Sequence, residues 1–183
     1  LAGFLPSLIE LAQGGHQGLH TLYISPLKAL AADIRRNLTR PVSEMALPIR
    51  IDDRTGDTSY TRRRAQRADP PHILLTTPES LALLLSYPDA PKIFAGLSRV
   101  IVDEIHALAE SKRGDQLMLC LSRLQALCPG LRRVGLSATV EDPPALAAYL
   151  GAGTETLLAD PGPDPDIAML DTATPPPWAG AGG

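Results

Sequence analysis

The chain has 183 residues, 44% of them apolar, with a mean hydropathy of +0.02 and a formal net charge of −3. That length supports one domain with a sizeable core. No apolar run approaches the roughly 20 residues of a membrane span, and the net charge does not advertise general attraction to nucleic acid.

Along the chain, strand-like and helix-like patterns alternate. Residues 1–13 place Phe4, Leu5, Leu8, Ile9 and Ala12 at helical spacing, with a kink expected at Pro6 and a stop at Gly14-Gly15. This opening has no basic start and no cleavage-like site, so no signal peptide is expected. It begins on Leu1 rather than Met, so the natural start is expected to lie further upstream. Strands are predicted at 20–24, 48–51, 72–75, 99–102 and 133–136. Helices are predicted at 27–38, 59–67, 79–85, 115–128 and 143–150. The helix at 59–67 carries Arg62, Arg63, Arg64 and Arg67, which read as a solvated face or a basic patch. Cys120 and Cys128 share one helical pattern, about 12 Å apart along the axis, too far for a disulfide. Buried core thiols in a cytoplasmic protein are expected, and no zinc spacing exists. From Gly151 the pattern fails, and residues 159–183, rich in Pro, Gly and Asp, read as a linker.

Strands alternating with helices predict βαβ units, a mostly parallel sheet and an α/β fold. In such sheets ligands bind outside the carboxyl ends of the strands. There the chain places Ser25-Pro26-Leu27-Lys28, Thr55-Gly56-Asp57-Thr58, Thr76-Thr77-Pro78-Glu79, Asp103-Glu104-Ile105-His106 and Ser137-Ala138-Thr139. The pair Asp103 and Glu104 suits a magnesium-nucleotide site, one carboxylate for Mg²⁺ and one for the attacking water. Lys28, Thr55, Gly56, Thr58 and Thr77 suit a phosphodiester backbone, which hydroxyls, backbone N–H groups and a lysine contact without reading bases. Thr77 is equally a good helix N-cap before Pro78.

The segments "SPLKAL", "RTGDT", "TTPE", "VDEIHAL" and "GLSAT" resemble, in order and spacing, motifs Ia, Ic, Ib, II and III of superfamily 2 helicases. The resemblance covers roughly residues 1–160. Within that group, "LYISPLKALA", "TTPESLALLLS" and "VDEIHALAESKRGDQL" are similar to the Lhr-like DEXH helicases, including the bacterial type associated with DNA ligase genes. A DEAD-box protein would have Ala and Asp at the positions of Ile105 and His106. The resemblance implies a RecA-like, P-loop-NTPase-type three-layer fold over residues 1–158, the first of two motor domains. It implies ATP and Mg²⁺ as cofactors and single-stranded DNA as partner, with 3′ to 5′ translocation in DNA repair in the bacterial cytosol or nucleoid. An RNA-directed helicase or a non-catalytic nucleic-acid-binding module is the alternative. By residue, it implies that Asp103 holds Mg²⁺, Glu104 is the general base, and His106 links that site to motif III. Ser137 and Thr139 would couple hydrolysis to movement. Lys28, Thr55, Gly56, Asp57 and Thr77 would line the nucleic-acid track, with Asp57 orienting its loop and Arg113 bracing or touching the strand.

A phosphate loop, G-x-x-x-x-G-K-[ST], is absent: the three lysines, Lys28, Lys92 and Lys112, follow Leu27, Pro91 and Ser111. "LAGFLPSL" resembles the helix after that loop, so the fold is expected to lack its first strand and the loop. The second motor domain and its arginine finger are expected elsewhere in the protein. The chain alone is expected to hydrolyse little or no ATP.

Overall fold

The computed structural model describes residues 2–109, 111–138 and 142–158. Five strands, β1 (Thr21–Ile24), β2 (Ile51–Arg54), β3 (Ile73–Thr76), β4 (Arg99–Val102) and β5 (Arg132–Gly135), form one sheet in the order β2-β3-β1-β4-β5. Every pairing is parallel, so the fold is α/β as the pattern predicts. The helices are α1 (Leu5–Ala12), α2 (Lys28–Glu44), α3 (Tyr60–Ala68), α4 (Pro78–Ser86), α5 (Ala90–Phe94), α6 (Ile105–Ala109), α7 (Lys112–Leu127) and α8 (Pro143–Leu150).

The three central strands are buried throughout, which is why their sequences are nearly continuous apolar runs. Their side chains alternate between two cores. Leu22, Ile24, Leu74, Val100 and Val102 pack with Leu81, Leu117, Leu121 and Leu124 of α4 and α7. Tyr23, Ile73, Leu75 and Ile101 pack with Phe4, Leu11, Ala31 and Leu38 on the side of α1 and α2. Helices on both faces make three layers. Cys120 and Cys128 are free and buried, as expected. Among the described residues no helix is long and apolar enough to cross a membrane.

Several boundaries differ from the sequence expectation. The strand predicted at 48–51 instead occupies Ile51–Arg54. Asp52 and Asp53 fit there because β2 is an edge strand and their carboxylates meet Arg35, Arg62 and Gln66 from α2 and α3. Pro6 does not kink a helix; it lies in the first turn of α1, where its missing N–H has no intrahelical bond to lose. The second helix runs past Leu38 to Glu44, across Pro41, because Val42 still packs into the core. The short helices α5 and α6 were not predicted. The proposed linker, residues 159–183, lies outside the described residues.

Candidate nucleotide and nucleic-acid site

Because all five strands run parallel, their C-terminal ends share one edge of the sheet, and every predicted site segment starts there. At the end of β4, Asp103 N–H donates to the carbonyl of Ile24 (2.9 Å) and Ile105 N–H to that of Leu136 (3.1 Å). These bonds hold the turn between its neighbouring strands. Glu104 sits in the left-handed region at φ +49°, which costs a non-glycine residue about 1–3 kcal/mol. Its N–H donates to Asp103 Oδ1 at 2.9 Å. The other carboxylate oxygen, Oδ2, accepts a hydrogen bond from the phenol of Tyr23. Burial, then the bond to Asp103, raises the Tyr23 pKa far above the ordinary phenol value.

Both partners of His106 are at hand. Its Nε2 lies 3.3 Å from Glu104 Oε2 and its Nδ1 2.6 Å from Ser137 Oγ. The imidazole therefore joins the end of β4 to the loop after β5. All three residues remain partly exposed, open to a ligand. Thr139 lies outside the described residues.

The loop after β2 is cross-braced. Thr55 N–H donates to Thr58 Oγ1 (2.9 Å), Thr58 N–H to the Thr55 carbonyl (3.2 Å), and Arg63 Nη2 to the carbonyls of Thr55 (3.0 Å) and Gly56 (2.6 Å). Lys28, the first residue of α2, reaches Asp57 at 2.9 and 3.0 Å and keeps half its side chain exposed. A Cβ on Gly56 would stand 3.3 Å from Lys28 Nζ, a close contact that a few tenths of an ångström of movement by the half-exposed lysine relieves. Thr77 is buried as the N-cap of α4, accepting from Ser80 N–H at 3.4 Å. Arg113 clasps the start of α4 to the loop after β1: it donates to both oxygens of Glu79 (2.5 and 3.2 Å) and to the carbonyl of Pro26 (3.0 Å).

The structure thus joins Asp103, Glu104, His106 and Ser137 in one constellation, and Lys28, Gly56 and Asp57 in another. Most of the arginine cluster turns out to be internal scaffolding. Arg62 pairs with Asp52 and Asp53, Arg63 holds the loop carbonyls, and Arg67 pairs with Asp89 (2.8 Å) while stacking on Tyr87. Tyr23 is a contributor that the sequence reading missed, while Glu79, placed on the binding edge, and Arg63, placed in a basic patch, have partners that it did not identify. The one local signal was a polar-tipped Tyr inside the apolar run "TLYI".

A parallel α/β sheet with an acid pair at one strand end, wired to a hydroxyl at the next, defines the class of domain. The sequence profile of the DEAD/DEAH box helicases matches residues 1–146, and the chain belongs to that family. Among its relatives is ATP-dependent helicase Lhr-Core protein 2 of Thermococcus barophilus, 44% identical over 165 residues, covering 82% of this chain and 19% of the relative. The Lhr helicase/probable uracil glycosylase of Mycolicibacterium smegmatis is 42% identical over 196 residues, covering 93% of this chain and 13% of that protein. The structure of Mycobacterium smegmatis helicase Lhr bound to single-stranded DNA and AMP-PNP superposes with a TM-score of 0.77 at 43% identity, over 88% of this chain and 22% of that one. The chain therefore spans about a fifth or less of the length of these relatives, within a RecA-like helicase fold.

Proposed function

We propose that residues 1–158 form part of the first motor domain of an Lhr-like, ATP-dependent DNA helicase acting in DNA repair in the cytoplasm, with residues 159–183 as a linker toward a second motor domain. The observation that carries this reading is the Asp103–Glu104 pair at the end of β4, connected through His106 to Ser137. Similarity to helicases of the Lhr group, one bound to single-stranded DNA and AMP-PNP, supports it.

The residues fit a magnesium-nucleotide. Among the described residues no group of three or more His, Cys, Asp or Glu is placed to hold a metal. Magnesium needs no such cage, since it keeps several waters and takes one or two carboxylates plus nucleotide phosphates. Asp103 has one internal hydrogen bond on each oxygen, which leaves acceptor capacity on both for metal-bound water. When bound, the metal would neutralise charge on the β- and γ-phosphates. Glu104 is the general base in this reading, accepting a proton from the attacking water. His106 reports the state of Glu104 to Ser137, and Thr139 belongs to the same coupling segment. Lys28, with the backbone at Thr55 and Gly56, meets the phosphodiester backbone. Asp57 orients Lys28, Thr77 shapes its loop as a helix cap, and Arg113 braces the track. The lysine-bearing phosphate loop and the arginine finger come from outside these 183 residues, which alone hydrolyse little or no ATP.

The test is ATP hydrolysis by the full-length protein with single-stranded DNA or RNA of equal length. DNA should stimulate, and Glu104→Gln should lower the stimulated rate by about 100-fold or more. An undiminished rate in that variant would refute the assignment. Stronger stimulation by RNA would transfer the proposal to an RNA-directed helicase.

A further inference from the structure

We infer that Tyr23 is a positioning residue for nucleotide-metal binding: its hydroxyl locks the carboxylate of Asp103 in the orientation that receives the metal's water shell. The inference deepens the reading of Asp103 given above and rests on it.

The parallel register of β1 and β4 sets Tyr23 beside Ile101. Side chains alternate along a strand, so Asp103, two residues beyond Ile101, is on the same face and diagonal to Tyr23. The phenol spans that diagonal and donates to Asp103 Oδ2. Glu104 N–H holds the other oxygen. The carboxylate is thereby gripped at both oxygens and cannot turn about its χ2 axis without losing a bond.

Packing alone does not explain the hydroxyl. Tyr23 is wholly buried, and its ring stacks against Phe4 with centroids 5.3 Å apart. A phenylalanine would fill that volume without bringing a polar atom into the core. A buried hydroxyl destabilises unless it is bonded, and here the bond ends on the residue assigned to the metal. Outer partners of this kind orient ligands, and losing them typically costs about 10–100-fold in metal affinity. Magnesium, with its strict octahedral demand, is sensitive to such misorientation.

The experiment uses the full-length protein. Mn²⁺ binding in the presence of AMP-PNP is followed by electron paramagnetic resonance, together with the Mg²⁺ concentration giving half-maximal ATP hydrolysis. Tyr23→Phe should raise both midpoints about 10-fold, while the melting temperature moves by no more than about 3 °C. 4-Aminophenylalanine in place of Tyr23, which restores a donor, should return both toward wild type. Wild-type midpoints in Tyr23→Phe, with metal binding lost in Asp103→Asn, would overturn the role of Tyr23 and leave the site assignment standing. Unchanged metal binding in Asp103→Asn would overturn both. If Tyr23→Phe unfolds the protein, 4-methylphenylalanine and 4-aminophenylalanine at this position decide. They are similar in size, and equal midpoints in the two would overturn the inference.

Discussion

Arg113 shows how one side chain can tie two segments of the proposed binding face together. Its guanidinium spans the carbonyl of Pro26, after β1, and the carboxylate of Glu79, at the start of α4. Arg113, by hydrogen bonding first, holds the Glu79 carboxyl below the usual carboxylate range. The pair is about half exposed, 42% and 52%, so its contribution to stability is small, about 1 kcal/mol or less. In the proposed function its effect belongs to the geometry of the nucleic-acid track. Arg113→Ala should raise the dissociation constant for single-stranded DNA about five-fold, a loss of roughly 1 kcal/mol as for one screened ionic contact, with an almost unchanged urea midpoint. Fluorescence anisotropy with a labelled oligonucleotide measures the first quantity. An unaltered dissociation constant would remove Arg113 from the site. At this scale the sequence was informative wherever chemistry is written in contiguous residues: an acid pair ending an apolar run, a histidine two positions on. It was silent on Glu79 as the partner of Arg113, 34 positions away, because only folding makes them neighbours.

Among the elements, α6 matters most to the proposed site, since it carries His106. The packing of α7 against it depends on Gly114: a Cβ there would lie 1.9 Å from the carbonyl oxygen of Leu108 and 2.9 Å from the Tyr149 hydroxyl. The first obstacle is backbone and cannot swing aside. The helix starts at Lys112, not at Asp115, because Ser111 caps it. A glycine inside a first turn disfavours helix by about 1 kcal/mol relative to alanine, so the pattern argues for a start beyond it. The Ser111 cap, whose Oγ accepts from Gly114 N–H at 3.2 Å, overrides that preference. Gly114→Ala should destabilise by about 3 kcal/mol, read as a lower urea midpoint, and by moving α6 should also lower DNA-stimulated hydrolysis. A wild-type midpoint would contradict the close approach. The helices α5 and α6, five residues each, were invisible in the sequence because they are too short to show helical periodicity.

For the molecule as a whole, the ionisable groups predict acid sensitivity. His20 and His72 are both held below the ordinary imidazole value, mainly by burial. His20 faces His16, Arg99 and Glu10; His72 faces Arg50, His16 and Asp69. A depressed histidine favours the neutral form in the folded state, so the unfolded chain binds more protons once the pH falls below about 6.5. Stability should be greatest at and above about pH 7 and decline below 6.5. A second decline should begin below about 4.3. There Glu10, lowered by Arg99, and Glu79, lowered by Arg113, lose contributions present only while ionised. Urea midpoints from about pH 8 to about pH 3 check this. A flat profile between about 7.5 and 5.5 would show that the two histidines are not buried as neutral groups in solution.

The sequence alone was enough for the α/β class, for most helices and strands, and for the acid pair at the end of an apolar run. Each is a local matter: periodicity within a segment, or residue type at the end of an apolar run. The link from His106 to Ser137 came from the family resemblance, and the structure joins the two only because β4 and β5 pair. The strand order β2-β3-β1-β4-β5 was decided by tertiary structure. So was everything that depends on which strands lie side by side: the acidic edge of β2, the clasp of Arg113, and the phenol of Tyr23 on Asp103. Tyr23 and Asp103 are 80 positions apart. A pattern read along the chain cannot place them in contact, because their meeting depends on the register of two strands that pair only when the whole sheet has formed.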